Sequence, residues 1–209
     1  MDANVNTSAA TFEPVPDSVF HLAFERVFAH RGAGENDARV DLKIVQSPVG
    51  SLMLSATRSA LHGLEFVDTT SLESRLRSLR RRSGASVGLE PSELLERTHR
   101  QLDEYFSGRR TSFDVPLSYE GTDFQQKVWS ALLKIGYGRT WSYLELAESI
   151  GDRSATRAVG MANGANPLAI VIPCHRVVNA NGALGGYGGG LWRKRVLLDL
   201  EKGQAQLPL

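Results

Sequence analysis

One cysteine in 209 residues, Cys174, sets the terms on which this chain folds. An intramolecular disulfide and a multi-cysteine zinc site are both closed to it, so apolar packing must hold it together. Its length permits this, because a chain of this size buries roughly 70% of its unfolded surface, as one large domain or two small ones. With 42% hydrophobic and 22% charged residues, the composition is globular. A lone thiol also makes a reducing, cytoplasmic compartment the expected one. The best apolar run, Leu168 to Ile172, is strand-sized and far short of a bilayer span. Met1-Asp2-Ala3-Asn4 starts no basic-then-apolar signal. Neither membrane insertion nor secretion is expected.

The charge is nearly balanced, 24 Lys+Arg against 23 Asp+Glu, yet it is unevenly spread. Residues 1–120 hold 14 basic and 17 acidic side chains, and residues 121–209 hold 10 and 6. A basic second half points toward nucleic acid, although chance variation of a solvated surface accounts for it equally well.

Residues 1–38 carry Pro14, Pro16, Gly32 and Gly34 with weak periodicity, and read as an extension whose first ten residues are disordered. Alternation over Asp41–Val45 and Ser51–Ala56, around the Ser47–Gly50 turn, predicts two strands, with a third over Leu61–Val67. The five arginines between Arg75 and Arg82 read as a solvated helix face. Leu94, Leu95, Thr98, Leu102 and Phe106 predict a helix ending at Gly108.

The second half is richer in signals. Thr122-Asp123-Phe124-Gln125 and Ser142-Tyr143-Leu144-Glu145 are capping boxes, each opening a helix. After the Gly151-Asp152 turn, Ser154 is placed to cap another helix. Two short helices about a glycine turn fit a helix-turn-helix, a weak motif alone, whose second helix would meet DNA through the small side chains of 154–160. Ala169–Ile172 reads as a buried strand broken at Pro173, and Asn181-Gly182 as a hairpin signal. The glycine-rich stretch Gly185–Gly190 fits neither a dinucleotide fingerprint nor a P-loop, so no nucleotide cofactor is expected. Arg193–Glu201 closes the chain as an amphipathic helix with Val196, Leu197 and Leu200 inward.

Chemistry concentrates in Pro173-Cys174-His175-Arg176-Val177. A lone cysteine is usually a small buried hydrophobe. A neighbouring histidine and positive charge can instead make it a nucleophile. Successive strand residues face opposite ways, so contact between Cys174 and His175 requires a non-strand conformation or a bridging water.

This motif resembles the active-site motif of the O(6)-alkylguanine-DNA alkyltransferases, the methylated-DNA–protein-cysteine methyltransferases. Tyr105-Phe106-Ser107-Gly108, Phe113-Asp114-Val115-Pro116-Leu117, Gly121 to Gln125, Ser142-Tyr143, Arg157 to Gly160, Asn166-Pro167, Gly185-Gly186-Tyr187 and Leu197 to Glu201 follow in family order. The resemblance is strong over 101–203 and holds only in pattern over 40–100.

The resemblance implies an α+β fold. After the extension at 1–38, a small mixed α/β, ribonuclease-H-like domain would occupy 39–118. A helical, winged-helix-like DNA-binding and catalytic domain would occupy 119–209. It implies single-turnover repair by base flipping, in which the alkyl group of O(6)-methylguanine, with O(4)-methylthymine as a second candidate, passes irreversibly to Cys174. His175 would be the base through a water, Glu201 its orienter, and Tyr143 the hydroxyl serving the departing guanine. Asn166 would be structural beside the site. Arg157 would fill the gap left by the base, with Ser154, Ala155, Thr156, Ala158 and Gly160 completing the DNA contact. Pro173, Val177, Tyr187 and Gly188 would form the pocket, with the carbonyls of Cys174 and Val177 reading the exocyclic amine. No cofactor and no metal are implied; the partner is double-stranded DNA, bound by a monomer.

Some positions depart from the pattern. Gly136 replaces a common proline, and Gly188 stands where some relatives carry serine, which removes a side-chain contact and widens the pocket. Three other readings compete: an alkyltransferase-like sensor lacking the cysteine, a winged-helix regulator in which Cys174 is merely buried, and a cysteine hydrolase, which would turn over. Cys174 argues against the first, and the joint presence of Tyr143, Asn166 and Glu201 against the second.

Overall fold

The computed structural model describes residues 13–29, 39–83 and 85–204. The disorder expected of the first ten residues lies outside the described residues. Strands β1 (Arg39–Val45), β2 (Leu52–Ala56) and β3 (Leu61–Phe66) form where the alternation predicts them. Each pairs antiparallel with the next, and β4 (Ser86–Gly88) joins β1 in parallel, giving the order β3-β2-β1-β4.

Both faces of this sheet are covered. Helix α3 (Glu93–Phe106) sets Leu94, Leu95 and Leu102 into one core with Leu52, Leu54 and Leu64. The other face carries α2 (Thr69–Arg82), whose Leu72, Leu76 and Leu79 point inward while its arginines are exposed, as expected of a solvated face. β2 is accordingly buried at every position, as strands between two layers are.

The N-terminal stretch is more than an extension. It contains α1 (Asp17–Phe28), which buries Phe20, Ala23, Val27 and Phe28 against the α2 side of the sheet. Pro16 at its N-cap fixes the backbone leading into the first turn.

The second half is helical: α4 (Asp123–Leu132), α5 (Tyr143–Ser149), α6 (Thr156–Gly164) and α7 (Leu191–Glu201), with β5 (Trp141–Ser142) and β6 (Val177–Val178) paired in parallel. Both capping boxes form: Gln125 N–H donates to Thr122 Oγ1 at 3.3 Å and Glu145 N–H to Ser142 Oγ at 3.1 Å. The capping expected of Ser154 belongs to Asp152, whose carboxylate accepts from Ser154 N–H and Oγ and opens a 3-10 turn, Arg153–Ala155, ahead of α6. The longer reach of aspartate satisfies two donors at once.

Two further expectations need correction. Residues 169–172 do not extend into a strand; they turn tightly, with Ile170 at φ 70° and Val171 N–H donating to Ala169 O at 2.8 Å. The side chain of Asn166 supplies the bonds a sheet would have given, donating to Ile172 O at 2.8 Å and accepting from Leu168 N–H at 3.0 Å. The Asn-Gly signal makes a closed turn, Asn179 N–H to Ala183 O at 2.8 Å, with no returning strand among the described residues.

The turn at 167–169 also ties the halves together. Leu64 N–H donates to Pro167 O and Ala169 N–H to Leu64 O, each at 2.9 Å, so the free edge of β3 is paired by the segment that leads to Cys174. One apolar core runs through both halves, from Leu52 and Leu64 to Trp129, Val159 and Leu197.

Candidate active site

Pro173 breaks the extended backbone and Cys174–Arg176 form a 3-10 turn, one of the two arrangements open to the motif. All three residues are buried. His175 Nε2 lies 2.8 Å from Glu201 Oε1 at the last turn of α7. An ionised carboxylate only accepts hydrogen bonds, so the ring proton sits on Nε2 and Nδ1 is the unprotonated nitrogen. Nδ1 meets no hydrogen-bond partner among the described residues.

Glu201 is held by more than the histidine. Tyr105 O–H donates to it at 2.7 Å, Arg176 through Nε and Nη2 at 2.8 and 2.9 Å, and Gly138 N–H at 3.0 Å. Burial alone would raise this carboxyl, but the bonds from His175 and Arg176 overcome it and hold the group at about 2. Burial lowers His175, keeping the ring neutral, while the Glu201 contact pulls the other way. Gly138 earns its place by conformation, with φ at 70° and space for a Cβ only 3.0 Å from Glu201 O.

Cys174 opens onto a cavity of about 390 Å³ that it shares with Tyr143, Gly160, Asn163, Asn166, Tyr187 and Gly188. Burial pushes its thiol up, while the Asn166 side chain, the Lys194 charge and the Tyr187 hydroxyl pull toward the thiolate. The Tyr187 hydroxyl faces Cys174 without a hydrogen bond of normal length to any described group. Tyr143 O–H donates to Gly186 O at 3.3 Å, and burial, then Cys174, raise its phenol.

The remaining expected residues divide. Pro173 and Val177 do not line the cavity, although both were expected to. Val177 is fully covered, and its carbonyl accepts from Lys194 Nζ at 2.6 Å. Arg157 and Ala158 are exposed on α6, with Ala155 and Thr156 half-buried and Ser154 exposed before it, all outside the cavity. Gly160 is the one of this group that reaches both, its Cβ position 3.7 Å from the Tyr143 ring.

Sequence reasoning missed Lys194 and Asn163. Lys194 is fully buried, donating to the carbonyls of Val177, Leu184 and Gly186, and so pins the glycine-rich loop beside the site. Burial pulls its ammonium down to about 8, with Cys174 opposing. Asn163 donates to Cys174 O at 3.3 Å. The signal for Lys194 was positional: 194, 197, 198 and 201 share one face of α7, and the resemblance already gave Glu201 a place beside His175. Val196 and Leu200, expected inward, are only partly covered because that face is rotated from the purely apolar one.

No group of three metal-ligating side chains occurs among the described residues. Comparison with known proteins gives the family. Residues 42–119 match the 6-O-methylguanine DNA methyltransferase ribonuclease-like domain, and residues 123–203 match the DNA-binding domain of the same family. A Mycobacterium tuberculosis methylated-DNA–protein-cysteine methyltransferase is 46% identical over 170 residues, which is 81% of this chain and 97% of the relative. The crystal structure of the Mycobacterium tuberculosis O6-methylguanine methyltransferase superposes with a TM-score of 0.68, at 46% identity over 81% of this chain and 96% of that one. Mycobacterium tuberculosis OGT in complex with DNA gives 0.67 at 45% identity, over 80% and 94%.

Proposed function

The chain belongs to the methylated-DNA–protein-cysteine methyltransferase family, and from that premise we propose that Cys174 is its alkyl acceptor, served by His175, Glu201 and Tyr143. The protein is a DNA-repair transferase that moves an alkyl group from DNA to its own cysteine. Its substrate on this reading is O(6)-alkylguanine in double-stranded DNA, with residues 119–209 binding and reacting and residues 39–118 buttressing them.

Helix α6 lies against the duplex, and Arg157 enters the space vacated as the damaged base turns into the cavity. Flipping costs a few kcal/mol, offset by stacking in the pocket and by the inserted side chain. The Cys174 proton passes through one water to His175 Nδ1, the lone pair that the Glu201 contact leaves open. The thiolate then attacks the carbon on O(6). Sulfur–carbon bond formation and carbon–oxygen cleavage are concerted, and guanine departs as Tyr143 O–H gives a proton to its ring nitrogen. Glu201, anchored by Arg176 and Tyr105, stabilises the imidazolium without taking its proton.

The observation that carries this reading is the buried thiol on the cavity with a polarised, neutral histidine behind it. Because the thioether formed on Cys174 does not release its alkyl carbon to water or to another thiol, each molecule acts once. One chain supplies every residue of the site, which suits a monomer. A cytoplasmic setting suits the free thiol; no helix among the described residues is long and apolar enough to cross a membrane.

The test is stoichiometric. Duplex carrying O(6)-methylguanine should lose one equivalent per protein and no more, and Cys174→Ala should bind the duplex but transfer nothing. Continued turnover would instead mark a cysteine hydrolase.

A further inference from the structure

The cavity does not end at the groups a methylated guanine requires. It continues to the first domain, where Glu65 and Phe66 of β3 and Arg75, Ser78 and Arg82 of α2 form its far wall. The bonding of Leu64 to Pro167 and Ala169 fixes β3 beside the Cys174 turn, so this wall is built into the site. Ala169, Gly188 and Gly189, all small, line the same cavity.

The far wall is ionic. Arg75 Nη1 reaches Glu65 Oε2 at 3.1 Å and Arg82 Nη2 reaches Glu65 Oε1 at 3.2 Å. Two guanidinium groups therefore share one carboxylate, leaving one positive charge in excess. The carboxylate is the covered partner, its side chain 16% exposed, while the arginines are 45% and 54% exposed. Each guanidinium carries five donors, and these contacts engage one from each. The unused donors match the fork that binds a second carboxylate.

In the reaction above, sulfur attacks the carbon bonded to O(6), so the remainder of the alkyl group must extend into space the base does not fill. We propose that this space is an alkyl subsite and that Arg75 and Arg82 make it selective for O(6)-alkyl groups ending in a carboxylate. The inference rests on the alkyl-transfer reading and adds no new chemistry. Cys174 loses its proton and gains the S–CH2 bond, the O–CH2 bond breaks, and guanine keeps that electron pair and takes one proton. The carboxylate remains on the protein as a thioether side chain paired with the arginines.

The experiment uses duplexes of one sequence carrying O(6)-methyl, O(6)-carboxymethyl or O(6)-(3-carboxypropyl)guanine, and the neutral carboxamide of each acid. Single-turnover rates are measured for the full chain, an Arg75→Gln/Arg82→Gln variant and Glu65→Gln. For at least one chain length, the acid-to-amide rate ratio should fall about tenfold in the double variant. It should rise in Glu65→Gln, which frees both guanidinium groups, so the two variants move it in opposite directions. Equal losses on methyl, acid and amide duplexes would assign the arginines to DNA phosphates and overturn the proposal. Ratios unmoved in both variants would overturn it as well. Failure of the unaltered chain to transfer even methyl would fell the parent reading, and the subsite with it.

Discussion

His175 and Glu201 meet at 2.8 Å through Nε2 and Oε1, and this contact decides which histidine nitrogen is free to take a proton. The same carboxylate closes a buried network with Arg176 and Tyr105, so its charge serves stability as well as chemistry.

Replacing Glu201 with glutamine leaves the Arg176 guanidinium buried without its counter-ion, a change that costs about 3–5 kcal/mol. Its carboxyl stands at about 2 when folded against an ordinary value of 4.5. A depressed carboxyl stabilises the fold above its unfolded value, here by roughly 3 kcal/mol, and that contribution is lost as pH falls from 4.5 toward 2. Denaturant unfolding of both proteins should therefore show the widest gap near neutral pH, closing in acid. A gap independent of pH would contradict the assignment.

Burial sets the cost of ionising Cys174, and Lys194, after Asn166, offsets part of it. Lys194→Gln removes the positive charge that favours the thiolate, so the thiol rises further and transfer at neutral pH should slow by about tenfold. The loss should shrink at higher pH, where the thiol ionises without help and the lysine itself discharges near 8. A loss that is the same fraction at every pH would mean Lys194 only holds the loop.

Adjacent glycines should behave differently. A Cβ on Gly188 would stand 3.5 Å from Gly164 O, an ordinary contact, so Gly188→Ser should change stability by less than about 0.5 kcal/mol. On Gly189 it would stand 2.5 Å from Phe66 Cδ2, and Phe66 is packed beneath Arg193 and against Tyr187. Gly189→Ala should cost about 1–3 kcal/mol. Thermal unfolding of the two variants decides the matter; equal effects would show that the loop yields.

Arg157 is exposed on α6 and makes no hydrogen bond or ion pair among the described residues. Arg157→Ala should slow repair of duplex DNA while leaving reaction with free O(6)-benzylguanine nearly intact. Equal losses on the two substrates would remove its role in flipping.

The elements legible in the sequence were those specified by local chemistry. Thr122 with Gln125, and Ser142 with Glu145, cap their helices as their spacing predicts, because a capping box needs only four residues. The cysteine motif was legible for the same reason. Residues 169–172 misled because an apolar run looks alike in a strand and in a buried turn, and the deciding group, Asn166, acts through its side chain. Helix α1 was hidden by short, Pro-flanked periodicity, and it forms through packing on α2 that no local pattern encodes. Arg193 and Lys194 defeated the expectation that charge faces outward, since backbone carbonyls of Val49, Gly189 and Val177 satisfy them.

The most direct test of the whole account is the fate of the methyl group. After reaction with duplex carrying labelled O(6)-methylguanine, the digested protein should show one methyl per chain, all of it on the sulfur in the peptide containing Cys174. Label on any other residue, or none retained while guanine is restored, would contradict it.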